Sequence, residues 1–213
     1  MFSIQHDMNL DSSSSRAESR ARLRAARSAL SAAERIAAAN ALISTLEQLP
    51  EFLVDARVAG YWAVGGELAL NVALGRLRAR AQKYYLPVLA TGNTLKFAEW
   101  EPSLPVRANR YGIPEPECDP VKLLSAQDID LVLVPLLGFD RRGNRLGAGA
   151  GFYDRSFAFL QGKPRPAQPL LVGIGYHFQE LPELAPQAWD VALDFVATER
   201  ELIECAPRNR ESL

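Results

Sequence analysis

The segment Asp130-Leu131-Val132-Leu133-Val134-Pro135-Leu136-Leu137 constrains this chain more than any other. A short, near-continuous apolar run with no polar residue left to face water fits a strand buried on both faces, which in practice means a parallel sheet covered by helices. The rest of the chain supplies the required alternation. Strands are expected at Ala56 to Trp62, Tyr84 to Leu89, Leu170 to Tyr176 and Val191 to Thr198, with Thr94 to Trp100 as an edge strand or half of a hairpin. Helices are expected from Arg16 to about Leu30 and from the capping box Ser31/Glu34 to about Pro50, the latter burying Ile36, Ala39, Ile43 and Leu46. Leu74, Leu77 and Ala81 line a further helix, and Phe152 to Leu160 form another. Strands alternating with helices predict one α/β domain, a parallel sheet sandwiched between helices. It is expected to span 16–205, between polar tails at 1–15 and 206–213.

The buried strand leads into Gly138-Phe139-Asp140-Arg141-Arg142-Gly143-Asn144-Arg145-Leu146-Gly147-Ala148-Gly149-Ala150-Gly151-Phe152-Tyr153-Asp154. Open α/β sheets bind ligands at the carboxyl ends of their strands, where this loop falls. Gly147, Gly149 and Gly151 leave main-chain N–H groups unobstructed, the following helix start is electropositive, and Arg145 adds a full charge. These features predict a phosphate cradle. It is not a Walker loop, because the only Gly-Lys, Gly162-Lys163, is followed by Pro164. Nor is it a dinucleotide fingerprint, since the last two glycines are one residue apart and the loop lies late in the chain.

Composition excludes several alternatives. Two cysteines, Cys118 and Cys205, cannot make a disulfide framework or a four-thiolate zinc site, and two histidines, His6 and His177, cannot make a multi-histidine centre. A formal net charge of −1 speaks against nucleic acid or a membrane as partner. No apolar run reaches the ~20 residues of a membrane span, and no signal peptide is read at the start. A cytoplasmic protein is expected.

Other residues remain candidates. Arg16, Arg20, Arg24 and Arg27 share one helix face, either a solvated face or an arm that reaches an anion. Asp154 either holds Mg²⁺ against a phosphate or caps its helix, and Asp190 or Asp194 supplies a second carboxylate. Glu67 follows two glycines at a strand end and either meets a polar ligand or starts a helix; Tyr61 and Trp62 stack on a heterocycle or belong to the core. His177 reads as structural, for no Gly-x-Ser-x-Gly elbow partners it, and Cys118 beside Glu117 and Asp119 is no thiolate nucleophile.

Taken together, Phe139-Asp140-x-x-Gly143-x-Arg145-Leu146-Gly147-x-Gly149-x-Gly151-Phe152-Tyr153-Asp154-Arg155 resembles the 5-formyltetrahydrofolate cyclo-ligase family, also named 5,10-methenyltetrahydrofolate synthetase. Arg16-x-x-x-Arg20, Gly66-Glu67, Gly112-Ile113-Pro114-Glu115-Pro116, and Trp189-Asp190 through Asp194 to Thr198-Glu199 support it in the family's order. The resemblance implies a three-layer α/β/α sandwich with a mostly parallel, Rossmann-like sheet. It implies ATP- and Mg²⁺-dependent closure of 5-formyltetrahydrofolate, with or without a polyglutamate tail, to 5,10-methenyltetrahydrofolate by a monomer. It further implies that Arg16, Arg20 and the run Arg145, Leu146, Gly147, Ala148, Gly149, Ala150, Gly151, Phe152, Tyr153 contact ATP, with Gly149 to Tyr153 also near folate. Glu67 and Trp62 are implied as folate contacts, Asp154 and Asp190 as magnesium ligands, and Arg145 and Tyr153 as residues at the reacting centre. Many members carry Arg or Lys where Ala148 and Ala150 stand, which leaves more of the charge to Arg145, the N-terminal arginines and the metal. Two rivals stay open: an α/β enzyme of sugar phosphates or CoA esters using Glu115 or Glu67 as base, and a non-catalytic nucleotide or RNA binder using the arginine face.

Overall fold

The computed structural model describes residues 7–205, with side chains from Arg16 onward. In chain order the elements are α1 (Asp7–Ala29), α2 (Ala32–Leu46), α3 (Pro50–Val54), β1 (Arg57–Ala59), α4 (Asn71–Ala79), β2 (Lys83–Leu89), β3 (Leu95–Glu99), β4 (Val106–Ala108), β5 (Pro114–Pro116) and β6 (Leu131–Pro135). They continue with β7 (Gly138–Phe139), β8 (Arg145–Leu146), α5 (Phe152–Ser156), β9 (Leu170–Ile174), β10 (Phe195–Ala197) and β11 (Leu202–Glu204). α1 thus starts ahead of Arg16. Residues 1–6 and 206–213, read as parts of the tails, lie outside the described residues.

Seven strands form one sheet in the order β11-β10-β9-β6-β1-β2-β3. β2, β1, β6, β9 and β10 run parallel, while β3 and β11 pair antiparallel at the two edges. β6 sits at the centre, and its alternation explains the unbroken apolar run. Leu131 and Leu133 join Leu42, Leu46, Phe52, Leu77 and Val172 on one face. Val132 and Val134 join Phe97, Phe139, Phe157 and Val196 on the other. Successive side chains point to opposite faces, and both faces are covered. The α/β reading with a mostly parallel sheet therefore holds.

Tertiary packing moves several boundaries. The Ser31/Glu34 capping box opens α2 as read, but α2 ends at Leu46 and Pro50 instead begins α3, where its missing N–H costs nothing. Ala39, Ile43 and Leu46 are buried, whereas Ile36 is 63% exposed. Ala81, expected to line α4, lies beyond its end at φ 59° and makes the turn into β2. Thr94 to Trp100 is both edge strand and hairpin half, as β3 pairs with β2. The helix expected over Phe152 to Leu160 is the single turn α5 followed by a 3-10 turn at Ala158–Leu160. Its dipole contributes little to the loop before it.

The chain leaves β1 in one direction along the sheet, through α4 to β2, and leaves β6 in the other, through α5 to β9. The carboxyl ends of β1 and β6 therefore flank a point where strand order reverses, the usual ligand crevice of such sheets. α1 lies against the hairpin of β7 and β8 through Leu23, which packs with Leu137, Leu146, Leu181 and Leu184. Gly138 allows this approach, since a Cβ there would stand 2.9 Å from Leu23 Cδ1. Leu23→Ala is expected to cost about 2–4 kcal/mol in urea unfolding through the cavity it opens. A loss below ~1 kcal/mol would mean that the arginines of α1 seat the helix instead.

Candidate active site

Asp140 shapes the loop before any ligand enters. Its buried carboxylate accepts from Arg142 N–H at 3.0 Å, Asn144 N–H at 2.9 Å, Asn144 Nδ2 at 2.8 Å and Leu184 N–H at 2.9 Å. These four bonds fold the β7–β8 hairpin back, which brings Arg145 inward. Arg145 is 8% exposed; its Nη1 donates to Val191 O at 2.5 Å and its Nη2 to Asp154 Oδ1 at 2.5 Å. Asp154 Oδ1 also accepts from Val191 N–H at 3.2 Å. Arg145 and Asp154 therefore clamp Val191, and with it the adjoining Asp190, against the start of α5.

Asp190 Oδ2 accepts from Arg16 Nη2 at 3.1 Å and Gln187 N–H at 2.9 Å. Among the described residues no donor reaches Asp154 Oδ2 or Asp190 Oδ1, so each carboxylate keeps one oxygen for a ligand. Asp194 is placed differently. Its Oδ2 takes Arg165 and Leu171 N–H at 2.8 Å while its Oδ1 is buried without a partner among the described residues, and it lies at the amino end of β9, away from the strand ends that form the crevice. Of the two alternatives for a second carboxylate, the geometry groups Asp190 with Asp154.

The glycine loop shows a one-sided hydrogen-bond pattern. Arg20 Nε donates to Gly147 O at 3.1 Å, Arg24 Nη2 to Ala148 O at 3.1 Å, and Arg155 reaches back to Ala150 O. Among the described residues the N–H groups of Gly147 to Gly151 have no protein acceptor. Carbonyls turned toward guanidinium groups and amides left unpaired describe a concavity that favours an anion. Gly149 and Gly151 take φ of 113° and 67°, which the turn requires. Desolvation first, then the charges of Arg16 and Arg24, pulls the Arg20 pKa below its ordinary value, with Asp190 opposing. An anion beside it would relieve that crowding.

The arginines of this face are engaged by the protein: Arg16 pairs with Asp190, Arg20 and Arg24 hold the loop, and Arg27 turns to Gly65, although Arg24 stays exposed. The family resemblance gives a role to Arg16 and Arg20 only, and leaves Arg24 and Arg27 as members of the shared face. Their fourfold and threefold spacing was the available signal.

Across the crevice, the chain beyond β1 turns at Gly65-Gly66. Tyr61 Oη donates to Leu68 O at 2.5 Å, and Val64 N–H donates to Glu67 Oε2 at 3.1 Å. α4 starts only at Asn71, so Glu67 is not a helix-starting residue. Burial pushes its carboxyl upward, opposed by the Val64 N–H and by Arg27. Burial first and the charge of Glu67 second raise the Tyr153 phenol far above its usual range, which makes it a neutral group in the site. Tyr153 stacks on Phe157 at 6.3 Å. Trp62 is half-buried and meets Trp100 edge-on at 5.5 Å, so it packs on the core with part of its ring open. Tyr111 of the β4–β5 turn meets Phe152 edge-on at 5.7 Å.

Other candidates are occupied. Glu115 Oε1 accepts from Leu89 N–H at 2.9 Å and Asn109 Nδ2 at 2.8 Å, which ties the β4–β5 hairpin to β2 and disfavours a role as base. His177 donates its main-chain N–H to Glu199 at 2.8 Å on the rim, beside Glu201. Burial first and Asp119 second raise the Cys118 thiol, and burial lifts Cys205 to about 12, so neither is a ready nucleophile. Gln179, which had carried no role, clamps the crevice floor: its Nε2 donates to Leu137 O at 2.7 Å and its Oε1 accepts from Tyr176 N–H at 2.7 Å. No described helix is long and apolar enough to cross a membrane.

Known proteins resemble this chain in sequence and fold. The sequence profile of the 5-formyltetrahydrofolate cyclo-ligase family matches residues 12–199. A 5-formyltetrahydrofolate cyclo-ligase of Haemophilus influenzae is 35% identical over 138 residues, 64% of this chain and 72% of that one. The protein of the same name from Escherichia coli K12 is 33% identical over 158 residues, covering 73% and 84%. The NMR structure of Aquifex aeolicus 5,10-methenyltetrahydrofolate synthetase superposes with a TM-score of 0.74 at 30% identity, over 93% of this chain and 95% of that one. With the profile spanning most of α1 and the whole glycine loop, the chain belongs to the 5-formyltetrahydrofolate cyclo-ligase family and is a ligase enzyme of that kind.

Proposed function

We propose that this enzyme closes 5-formyltetrahydrofolate to 5,10-methenyltetrahydrofolate with ATP and Mg²⁺, releasing ADP and phosphate. The observation that carries the reading is the glycine loop itself: carbonyls held by arginines, amides unpaired, and the Arg145–Asp154 pair at its end. A formyl amide is a poor electrophile. Transfer of the γ-phosphoryl group to its oxygen makes the carbon attackable and turns that oxygen into a leaving group. N10 then bonds to the carbon, its proton departs, and phosphate leaves with the former formyl oxygen. Such a route asks the protein for positioning and charge neutralisation rather than a nucleophile.

In this reading Arg20, Arg145 and the amides of Gly147 to Gly151 orient the triphosphate, and Arg16 holds Asp190 in place. Asp154 and Asp190 are the carboxylates suited to magnesium, each with an oxygen that no described donor takes; one or two carboxylates plus phosphate oxygens and water suffice. The bound ion would neutralise phosphate charge. Glu67 accepts hydrogen bonds from the N–H groups of the pterin, Trp62 covers its flat face, and Tyr153 supplies a neutral hydroxyl between folate and loop.

The purified protein, mixed with 5-formyltetrahydrofolate, ATP and Mg²⁺, is expected to develop the methenyl absorbance, and to fail when either ATP or Mg²⁺ is withheld. A folded protein without that absorbance, or with it in the absence of ATP, would overturn the proposal.

A further inference from the structure

One buried cation has no part in the nucleotide side of this scheme. Arg27 lies on α1 one turn beyond Arg24, yet its side chain is 9% exposed. Nε donates to Gly65 O at 2.9 Å, and Nη1 stands 4.0 Å from Glu67 Oε1. The backbones are close as well: a Cβ on Gly66 would lie 3.4 Å from Arg27 O. Arg35 Nη2 donates to Arg27 O and Ser28 O, each at 3.3 Å, which fixes the end of α1 over this turn. The turn is thus held by Tyr61 from the strand side and by Arg27 from the helix side. The Arg27–Glu67 separation exceeds a hydrogen bond, so Oε1 feels the charge without being consumed by it.

We propose that Arg27 is a positioning residue for folate: it fixes the Gly65–Gly66 turn and supplies the positive charge that lets Glu67 receive the pterin as a carboxylate. The inference rests on the reading of Glu67 as a folate contact. The groups whose charge bears on Glu67 or is raised by it are Arg27 from α1, Tyr61 just beyond β1 and Tyr153 from α5, and Arg35 of α2 stands at the adjoining turn, its Cζ 3.5 Å from where a Cβ on Gly66 would lie. Both phenols are held far above their ordinary range and stay neutral, which leaves Arg27 as the formal charge opposing the burial of Glu67. Arg24, Tyr61 and Tyr176 in turn surround Arg27, whose own pKa burial pulls below the guanidinium value while it remains cationic. Without Arg27 the carboxyl protonates at higher pH, so folate binding weakens first on the acid side.

The test is the pH dependence of KM for 5-formyltetrahydrofolate in wild type, Arg27→Gln, Arg27→Lys and Glu67→Gln. In Arg27→Gln the folate KM is expected to rise progressively as pH falls, by up to about tenfold at the acid limit for one pKa unit, and to converge toward wild type as pH rises. kcat and the KM for ATP should stay within about twofold. Arg27→Lys, which keeps the charge but not the bond to Gly65, is expected to keep the wild-type acid limb with KM raised evenly. An Arg27→Gln acid limb that coincides with wild type, while Glu67→Gln does raise the folate KM, overturns this role for Arg27 and leaves the Glu67 reading standing. A folate KM unmoved by Glu67→Gln overturns both. If Arg27→Gln does not fold, Arg27→Met carries the same test: an acid limb displaced to higher pH supports the proposal and one coincident with wild type overturns it.

Discussion

Asp154→Asn is expected to lower turnover by about 100-fold or more and to raise the Mg²⁺ concentration needed for half-maximal rate. The amide keeps an oxygen in the place of Oδ1, where Arg145 Nη2 and Val191 N–H donate, so the local fold survives at a cost of about 1 kcal/mol. What disappears is the charge, and with it the oxygen that no described donor takes. Initial rates against Mg²⁺ at saturating ATP and folate separate the two effects, and thermal unfolding monitors the fold. Turnover within about threefold of wild type would remove Asp154 from the machinery. Arg145→Ala makes a poorer test, because it strips partners from Asp154 and from Val191 O in one step and loses stability together with activity.

Asp140→Ala is expected to be the most damaging single change to stability. It leaves four donors on Arg142, Asn144 and Leu184 without an acceptor, in a residue only 1% exposed. A loss of about 3 kcal/mol or more follows from stranding several buried polar groups, which for a chain of this size lowers the melting temperature by roughly 6–12 °C. Asp140→Asn should be milder, since one oxygen still accepts two of the four bonds and only the two at the replaced oxygen are lost. Because the hairpin aims Arg145 inward, activity should fall with stability in Asp140→Ala even though Asp140 touches no substrate in the proposed scheme. A melting temperature within about 2 °C of wild type would show that the hairpin does not depend on this carboxylate.

Much of the molecule was legible before any coordinates. The β6 run declared a doubly covered strand because an apolar segment without alternation has no other comfortable place in a protein of this kind, and both core clusters confirm it. The capping box at Ser31 opened α2 because two side chains and two main-chain donors satisfy one another locally. Where local signals failed, tertiary packing or missing partners explain it. Ile36 is exposed because α2 presents Ala38, Ala39, Leu42 and Ile43 to the sheet. The helix after the glycine loop stops at one turn and gives way to a 3-10 turn, which the sequence periodicity alone did not betray.

The candidate site divides the same way. Sequence alone determined the residue types: glycines for bare amides, arginines for charge, carboxylates spaced along a loop and a strand, and an order shared with one family. Only the tertiary structure decided which of them meet. It set Asp190 rather than Asp194 beside Asp154, and it distributed the arginines of α1 over three segments: Arg16 to Asp190, Arg20 and Arg24 to the glycine loop, and Arg27 to the Gly65 turn. It also withdrew Glu115 into the scaffold. The reason is physical: residue type and spacing are set along the chain, whereas hydrogen bonds between residues more than a hundred positions apart, such as Arg20 to Gly147, exist only after the sheet has brought the strand ends together.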